Sequence, residues 1–357
     1  MSIFKQKGPT PVLVSYAVWI LLGVGLLHVV LFWAMNHTTS VQAGYRGTGM
    51  QTITATNKPA PAPLPAVVAP VEAGKDLAKD VYLNVQVLGN LKTEEFNRLM
   101  EQITAWVSPK EGCFYCHSDQ GLDVDQPYTK VVSRRMIEMT QFINANWTSH
   151  TQPSGVTCYT CHRGKPVPAN IWYTEPANTT VGLGNDAGQN KPSIGLTAMQ
   201  RDVFTPFLMN ANQIRVEGVT SLPKKGTVGK GPTLQSTEAT YSLMVHISKA
   251  LGVNCTHCHN TQSTADWSLS TPQRVTAWHG LNMIRAINTE YLAPLASVMP
   301  AKRLDGSALL GPTGDAPKAN CATCHNGENK PVQGVSLVET FPELKGPVAA
   351  PGKTAAK

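Results

Sequence analysis

Cys113-Phe-Tyr-Cys116-His117, Cys158-Tyr-Thr-Cys161-His162, Cys255-Thr-His-Cys258-His259 and Cys321-Ala-Thr-Cys324-His325 are four copies of one pattern, and they hold all 8 cysteines of a 357-residue chain. In a CxxCH segment the two thiols add to the two vinyl groups of one haem, and the following His lies beneath the ring and gives iron its proximal nitrogen. Two plainer readings fit worse. Structural zinc usually wants two CxxC pairs about 15–20 residues apart, whereas successive first cysteines here are separated by 45, 97 and 66 residues. Disulfides require no His after every second Cys. The pattern therefore predicts four covalently bound haem c groups, with His117, His162, His259 and His325 as proximal ligands.

Composition agrees with a chain held together by such groups. Charged residues make up 15% of the sequence, against about 25% in ordinary domains. With 29 Gly and 26 Pro, a coiled coil or an idealised bundle is excluded, and 42% hydrophobic residues exclude a mainly disordered chain. The net charge of +7 comes from 30 basic against 23 acidic residues with no long basic run, so nucleic-acid binding has little support. Haem propionates, about eight charges for four haems, would nearly cancel it.

No charged residue occurs between Lys7 and Arg46. Residues 12–35 inside that gap are predominantly apolar, and 24 residues at 1.5 Å each reach about 36 Å, enough to cross a bilayer. A cleaved signal has an apolar region of only about 7–15 residues. Val41-Gln-Ala43 resembles a cleavage site, but the long run favours a retained anchor. Lys5 and Lys7 put residues 1–11 in the cytoplasm and everything after the helix in the periplasm. His28 and His37 read as packing or interface residues. Residues 36–75 form a Pro/Ala-rich linker, with 58–70 an extended polyproline spacer lying over a surface. A flexible tail is expected over 345–357.

Between linker and tail the sequence repeats itself. Thr93-Glu94 with Leu99-Met100 matches Thr237-Glu238 with Leu243-Met244, an offset of 144, and Met139 with Ile143-Asn144 matches Met283 with Ile287-Asn288 at the same offset. The expected fold is mainly α: two pseudo-repeated halves, 76–177 and 236–344, each with two helix–CxxCH units, and long loops, joined by a connection over 178–235. No sustained strand alternation is evident.

A closed electron carrier needs a second axial ligand on each iron, usually Met or His. Of 10 histidines, four are proximal, two lie in or beside the membrane helix, and His257 sits inside a CxxCH loop. His150, His246 and His279 remain, so at least one ligand must be Met. A helix from Thr93, read as the N-cap, to the Pro109 stop carries Met100, 17 residues before His117; Met244 holds the equivalent place 15 residues before His259. The second helix, about 128–147, offers Met136 and Met139. The fourth, starting at Thr271-Pro272, has Gly280 opposite Met136 and keeps Met283. If Met136 serves the second haem, the fourth must borrow a ligand from His150, His279, Met283 or Met299.

Residues 85–117, with Val-Leu-Gly-Asn-Leu and Trp-Val-Ser-Pro-Lys-Glu-Gly-Cys, resemble the tetrahaem cytochrome subunit of purple-bacterial photosynthetic reaction centres. So do Arg134-Arg-Met-Ile-Glu-Met, Asn146-Trp-Thr-Ser-His150, Val156-Thr-Cys-Tyr-Thr-Cys-His-Arg-Gly, Ser270-Thr-Pro-Gln-Arg274 and Tyr291-Leu-Ala-Pro-Leu. The resemblance spans about residues 43–347. It implies three Met/His haems and one His/His haem, with Met100, Met136 and Met244 as the thioether ligands and His150 serving the fourth haem. It also implies a single-pass protein of the photosynthetic inner membrane that sits on the bacteriochlorophyll-bearing membrane subunits. A small c-type cytochrome or a high-potential iron–sulfur protein would reduce it, and it would re-reduce the photo-oxidised pair. Arg274 falls on a family arginine near haem, where its charge would raise the potential. Some family members carry a lipid on an N-terminal Cys; with no cysteine before Cys113, the uncleaved helix is expected to replace that anchor. The rival reading is a membrane-anchored tetrahaem quinol dehydrogenase feeding a periplasmic reductase, which is commonly shorter and richer in His. A multihaem enzyme would need an open iron, whereas every haem here has a candidate sixth ligand.

Overall fold

The computed structural model describes residues 11–35, 38–42, 51–56, 60–176, 202–214, 234–260, 262–303 and 305–346. Residues 1–10, His37, most of the expected connection 178–235 and the tail beyond 346 lie outside the described residues. Helices dominate what is described. The first, α1 (Pro11–Met35), exposes apolar side chains all along its length, from Val14 to Trp33. A helix with no polar face and no protein packed on it suits a lipid surround. His28 turns its Nδ1–H back onto Val24 O at 2.8 Å and is satisfied within the helix.

The segment expected to be linker throughout contains a hairpin. Strands β1 (Thr38–Gln42) and β2 (Gln51–Ala55) pair antiparallel, Thr38 opposite Ala55 and Gln42 opposite Gln51. After it residues 60–74 form neither helix nor strand, and part of this stretch is pinned to the globular part. Short helix α2 (Ala78–Val81) precedes α3 (Thr93–Val107), whose buried Arg98 and Gln102 hold it. Gln102 accepts from Val68 N at 2.7 Å and donates to Ala66 O at 3.2 Å; Arg98 donates to Val68 O, Ala69 O and Thr340 O. Thr93 is the first helical residue, not the N-cap. Lys92 occupies that place with its N–H on Glu95, and the Thr93 hydroxyl donates to Asp76 O.

Helices α4 (Tyr128–Asn146), α5 (Thr148–Thr151) and α6 (Cys158–His162) complete the first part. The second contains α7 (Leu234–Leu251), α8 (Gln273–Ala286) and α9 (Cys321–His325). Pro272 is the N-cap of α8, one residue after the expected Thr271, whose hydroxyl instead donates to His257 O. Beyond α8 the coil loosens to a π turn over Ile287–Leu292 and tightens to a 3-10 turn over Ala293–Ser297.

Two apolar clusters carry the packing. One joins α4 (Ile143), α7 (Leu243) and α8 (Leu281, Met283, Ile284) to Trp172, Phe207 and Leu208. Fully buried Asn288 fastens this core by donating to Leu208 O and Ala319 O and accepting from Ala319 N, so its polar ends are satisfied. The other cluster sets Trp106 edge-on to Phe341 at 5.0 Å, with Leu99, Leu344 and Val338 around them. Truncating Trp106 would cost about 3–5 kcal/mol.

Candidate functional site

The four cysteine motifs take two local forms. The second and fourth are one-turn helices entered through a Thr at the third position: Thr160 Oγ1 accepts from Thr157 N at 3.0 Å, and Thr323 Oγ1 accepts from Asn320 N at 2.9 Å. Both end in left-handed residues, Arg163 (φ 51°) and Asn326 (φ 51°), each followed by a Gly. The first and third are 3-10 turns, in which Cys116 N donates to Cys113 O and Cys258 N to Cys255 O, each at 3.2 Å. Either way, the second thiol and the imidazole leave the backbone within one turn.

The imidazole that ends each motif is oriented by the same device. Nδ1 lies 3.0 Å from Leu122 O in His117, 2.9 Å from Lys165 O in His162, 3.0 Å from Thr264 O in His259 and 3.0 Å from Glu328 O in His325. A carbonyl can only accept, so Nδ1 carries the proton and Nε2 presents a free lone pair. That is the tautomer, and the Nδ1-to-carbonyl contact, of a metal-binding His. Burial also lowers the pKa of His162 and His259, and that of His325 to about 4, which keeps the rings neutral.

His150 has the same arrangement from outside any motif. It sits on α5, its Nδ1 donates to Thr276 O on α8 at 2.9 Å, and burial lowers its pKa. Its ring lies edge-on to that of His325, with centroids 6.0 Å apart and the planes inclined at 66°. The imidazole rests on Gly280: a Cβ there would meet His150 Cε1 at 2.5 Å. The glycine in the place of Met136 is thus where the ring approaches the backbone of α8.

An inner cavity of about 460 Å³ is lined by Cys116, Cys158, Cys161, Cys258, Cys321 and Cys324 together with His162, His325, Met136 and His150, and lies within the roughly 300–1,000 Å³ of ligand pockets. Met139, Met283 and Met299 also line it. Met100 and Met244 do not; they are half-buried against the two apolar clusters. His246 packs on Phe204 at 4.7 Å, away from that cavity. Burial raises the Cys158 and Cys321 thiols to about 12 and those of Cys116 and Cys258 to about 11. No cysteine is in a disulfide, and the Cys161 and Cys324 sulfurs approach to 2.7 Å. Among the described residues no three His, Cys, Asp or Glu side chains converge on a metal position. The donor set fits covalent haem.

Neighbouring motifs are tied in sequence across space. Gly164, just past His162, donates to Trp106 O on α3 at 2.8 Å. Arg163 reaches Cys324 O at 3.4 Å. Gly327, just past His325, donates to Ala250 O on α7 at 2.7 Å. Ile53 N in the hairpin donates to Asn254, beside the third motif, at 3.3 Å. Arg274 stacks over Trp267 at 4.0 Å and bonds Asp266 O and Ser270; its charge helps lower the pKa of His259, which places it near that motif. The sequence pointed to neither Thr276 O nor Arg163, because a backbone carbonyl and an arginine after a motif carry no pattern.

Paired thiols followed by a neutral imidazole with a free Nε2 are the construction of a c-type cytochrome. The chain belongs to the family of photosynthetic reaction centre cytochrome c subunits, whose sequence profile matches residues 34–345. It is 46% identical over 324 residues to the photosynthetic reaction center cytochrome c subunit of Rubrivivax gelatinosus, covering 88% of this chain and 86% of that one. The subunit of Thermochromatium tepidum is 43% identical (85% and 74% covered), and that of Roseobacter denitrificans 40% identical (90% and 91%). The protein is therefore an electron-transfer subunit of a photosynthetic reaction centre and an electron carrier, not an enzyme. These relatives give the quinol-dehydrogenase reading no support.

Proposed function

We propose that the chain accepts electrons from a soluble periplasmic carrier, a small c-type cytochrome or a high-potential iron–sulfur protein, and delivers them to the photo-oxidised bacteriochlorophyll pair of the reaction-centre membrane subunits. Four covalently bound haem c groups would supply the one-electron chemistry. Cys113/Cys116, Cys158/Cys161, Cys255/Cys258 and Cys321/Cys324 attach them. His117 with Met100, His162 with Met136, His259 with Met244 and His325 with His150 fill the axial positions, leaving none open for substrate. The observation that carries this reading is the shared Nδ1-to-carbonyl contact at all four proximal imidazoles, with His150 beside the fourth.

The ties between motifs support a spatial order of first, second, fourth, third. The second is bonded to the helix of Met100, the fourth touches the second, and the fourth is also bonded to the helix of Met244. The hairpin that follows α1 meets the third, which supports a reading with that end toward the membrane and the first toward the soluble donor. The halves 76–177 and 236–344 repeat one plan, since the 3-10 form recurs at the first and third motifs and the helical form at the second and fourth. Residues 178–235 join them. With α1 as a single-pass anchor, 1–11 are cytoplasmic and the haem-bearing part periplasmic.

Flash excitation of membranes containing the protein should oxidise haem within the lifetime of the photo-oxidised pair, and the purified subunit should carry four haems and bacteriochlorophyll-bearing partners. Absence of flash-induced haem oxidation would refute the proposal.

A further inference from the structure

Lys130 stands in the first turn of α4 with only 7% of its surface exposed. Burying an ammonium is costly, and at a helix N-terminus the macrodipole opposes it as well. Helix stability therefore does not account for it. Its Nζ donates to Leu122 O at 2.7 Å and to Val124 O at 3.0 Å, and lies 3.6 Å from Asp125. Leu122 O is the carbonyl that also accepts the Nδ1–H of His117, at 3.0 Å. One oxygen thus receives a buried cation and the orienting bond of a proximal imidazole. The carbonyls of Lys165 and Glu328, which hold His162 and His325, have no charged donor among the described residues.

We propose that Lys130 raises the reduction potential of the haem site at Cys113, Cys116 and His117, acting as a tuning residue through Leu122 O; this rests on His117 being that site's proximal ligand. A carbonyl already polarised toward an ammonium draws less on the Nδ1 proton, so the imidazole gains less imidazolate character and stabilises the oxidised metal less. The cation also disfavours the extra positive charge of the oxidised state directly, and burial strengthens that repulsion. Both effects act in one direction. Asp125 offsets part of the charge, but Arg134 holds its carboxylate at 2.8 Å, and it is Nζ that faces the carbonyl. A raised potential at the site nearest the soluble donor would favour its staying reduced until the photo-oxidised pair draws on it.

The test uses the intact reaction-centre complex and equilibrium redox titration of Lys130→Met and Lys130→Gln. Gln keeps a neutral donor for the loop carbonyls and removes the charge. In both variants the haem that also moves in Met100→His should fall in potential, with a roughly tenfold change in its oxidised-to-reduced ratio at fixed poise, about 59 mV, and the other three should stay put. An unchanged potential in Lys130→Gln would overturn the proposal and leave Lys130 as a loop tie. A shift spread over several haems, or loss of one covalent haem from both variants, would overturn it too. If Met100→His moves no haem, the ligand reading of the first site has failed, whatever Lys130 does.

Discussion

A methyl group at Gly280 would lie 2.5 Å from Cε1 of His150, 2.8 Å from Nδ1 and 3.0 Å from Nε2. Ordinary carbon contacts begin near 3.4 Å, so in Gly280→Ala the imidazole must retreat by 3.4 − 2.5, about 0.9 Å. It has little room to do so. Nδ1 is tied to Thr276 O one turn earlier on the same helix, and the ring of His325 lies opposite at 6.0 Å. A metal–nitrogen bond of about 2 Å cannot stretch by half its length. Either the bond is lost or α8 is pushed aside, and overpacking of that kind costs about 1–3 kcal/mol. On the proposed ligation, low-temperature EPR of the intact complex should therefore show the bis-His low-spin signal lost or replaced, while the three Met/His signals persist. Redox titration should show one midpoint displaced and three unchanged. An unaltered bis-His signal with four unaltered midpoints would refute the placement of His150 on Gly280.

Single replacements Met100→His, Met136→His and Met244→His should each lower one haem midpoint, and His150→Met should raise one; titration of the purified complex checks all four, and silence at Met136 would shift attention to Met139. Burial alone would raise the Asp315 pKa, but its bonds with Lys318, Thr174 and Thr313 prevail and hold it below 3.8. Its stabilisation is therefore present above that value and lost as pH falls through the lower folded pKa. Asp315→Asn leaves buried Lys318 without its carboxylate and should cost about 3 kcal/mol in denaturant unfolding. Protease added to intact spheroplasts should remove the haem-bearing part from outside; protection there would reverse the assigned orientation.

Much of this was legible in the sequence because covalent haem attachment fixes residue type and spacing together. The four motifs, the apolar span of α1 and the helix Tyr128–Asn146 could be read directly. The helix starts slipped by one residue at Thr93 and Thr271, since each hydroxyl donates to a distant carbonyl where a cap was expected. The hairpin was missed although Gln51-Thr-Ile-Thr-Ala alternates, because five-residue strands flanked by apolar and proline-rich sequence carry little periodic signal. Arg98 and Gln102 carry no pattern that marks them as interior; the strap laid across them is what buries them. Periodicity left Met136 and Met139 level, and the structure lines one cavity with both.

His150 and His325 meet across 175 positions of sequence. On the proposed ligation, that separation is a hazard during biogenesis. If haem is attached in the order in which the motifs follow one another in the chain, His150 is available long before its own iron. Meanwhile the second haem, attached a few residues away at Cys158 and Cys161, needs an axial ligand and could capture it. Misligation would be a kinetic trap of the kind long-range contacts invite. The Thr276 carbonyl and the bare backbone of Gly280 lie ahead of Cys321–His325 in the chain, so the berth that holds His150 can close before its own iron arrives and shorten the interval in which the second haem could take it.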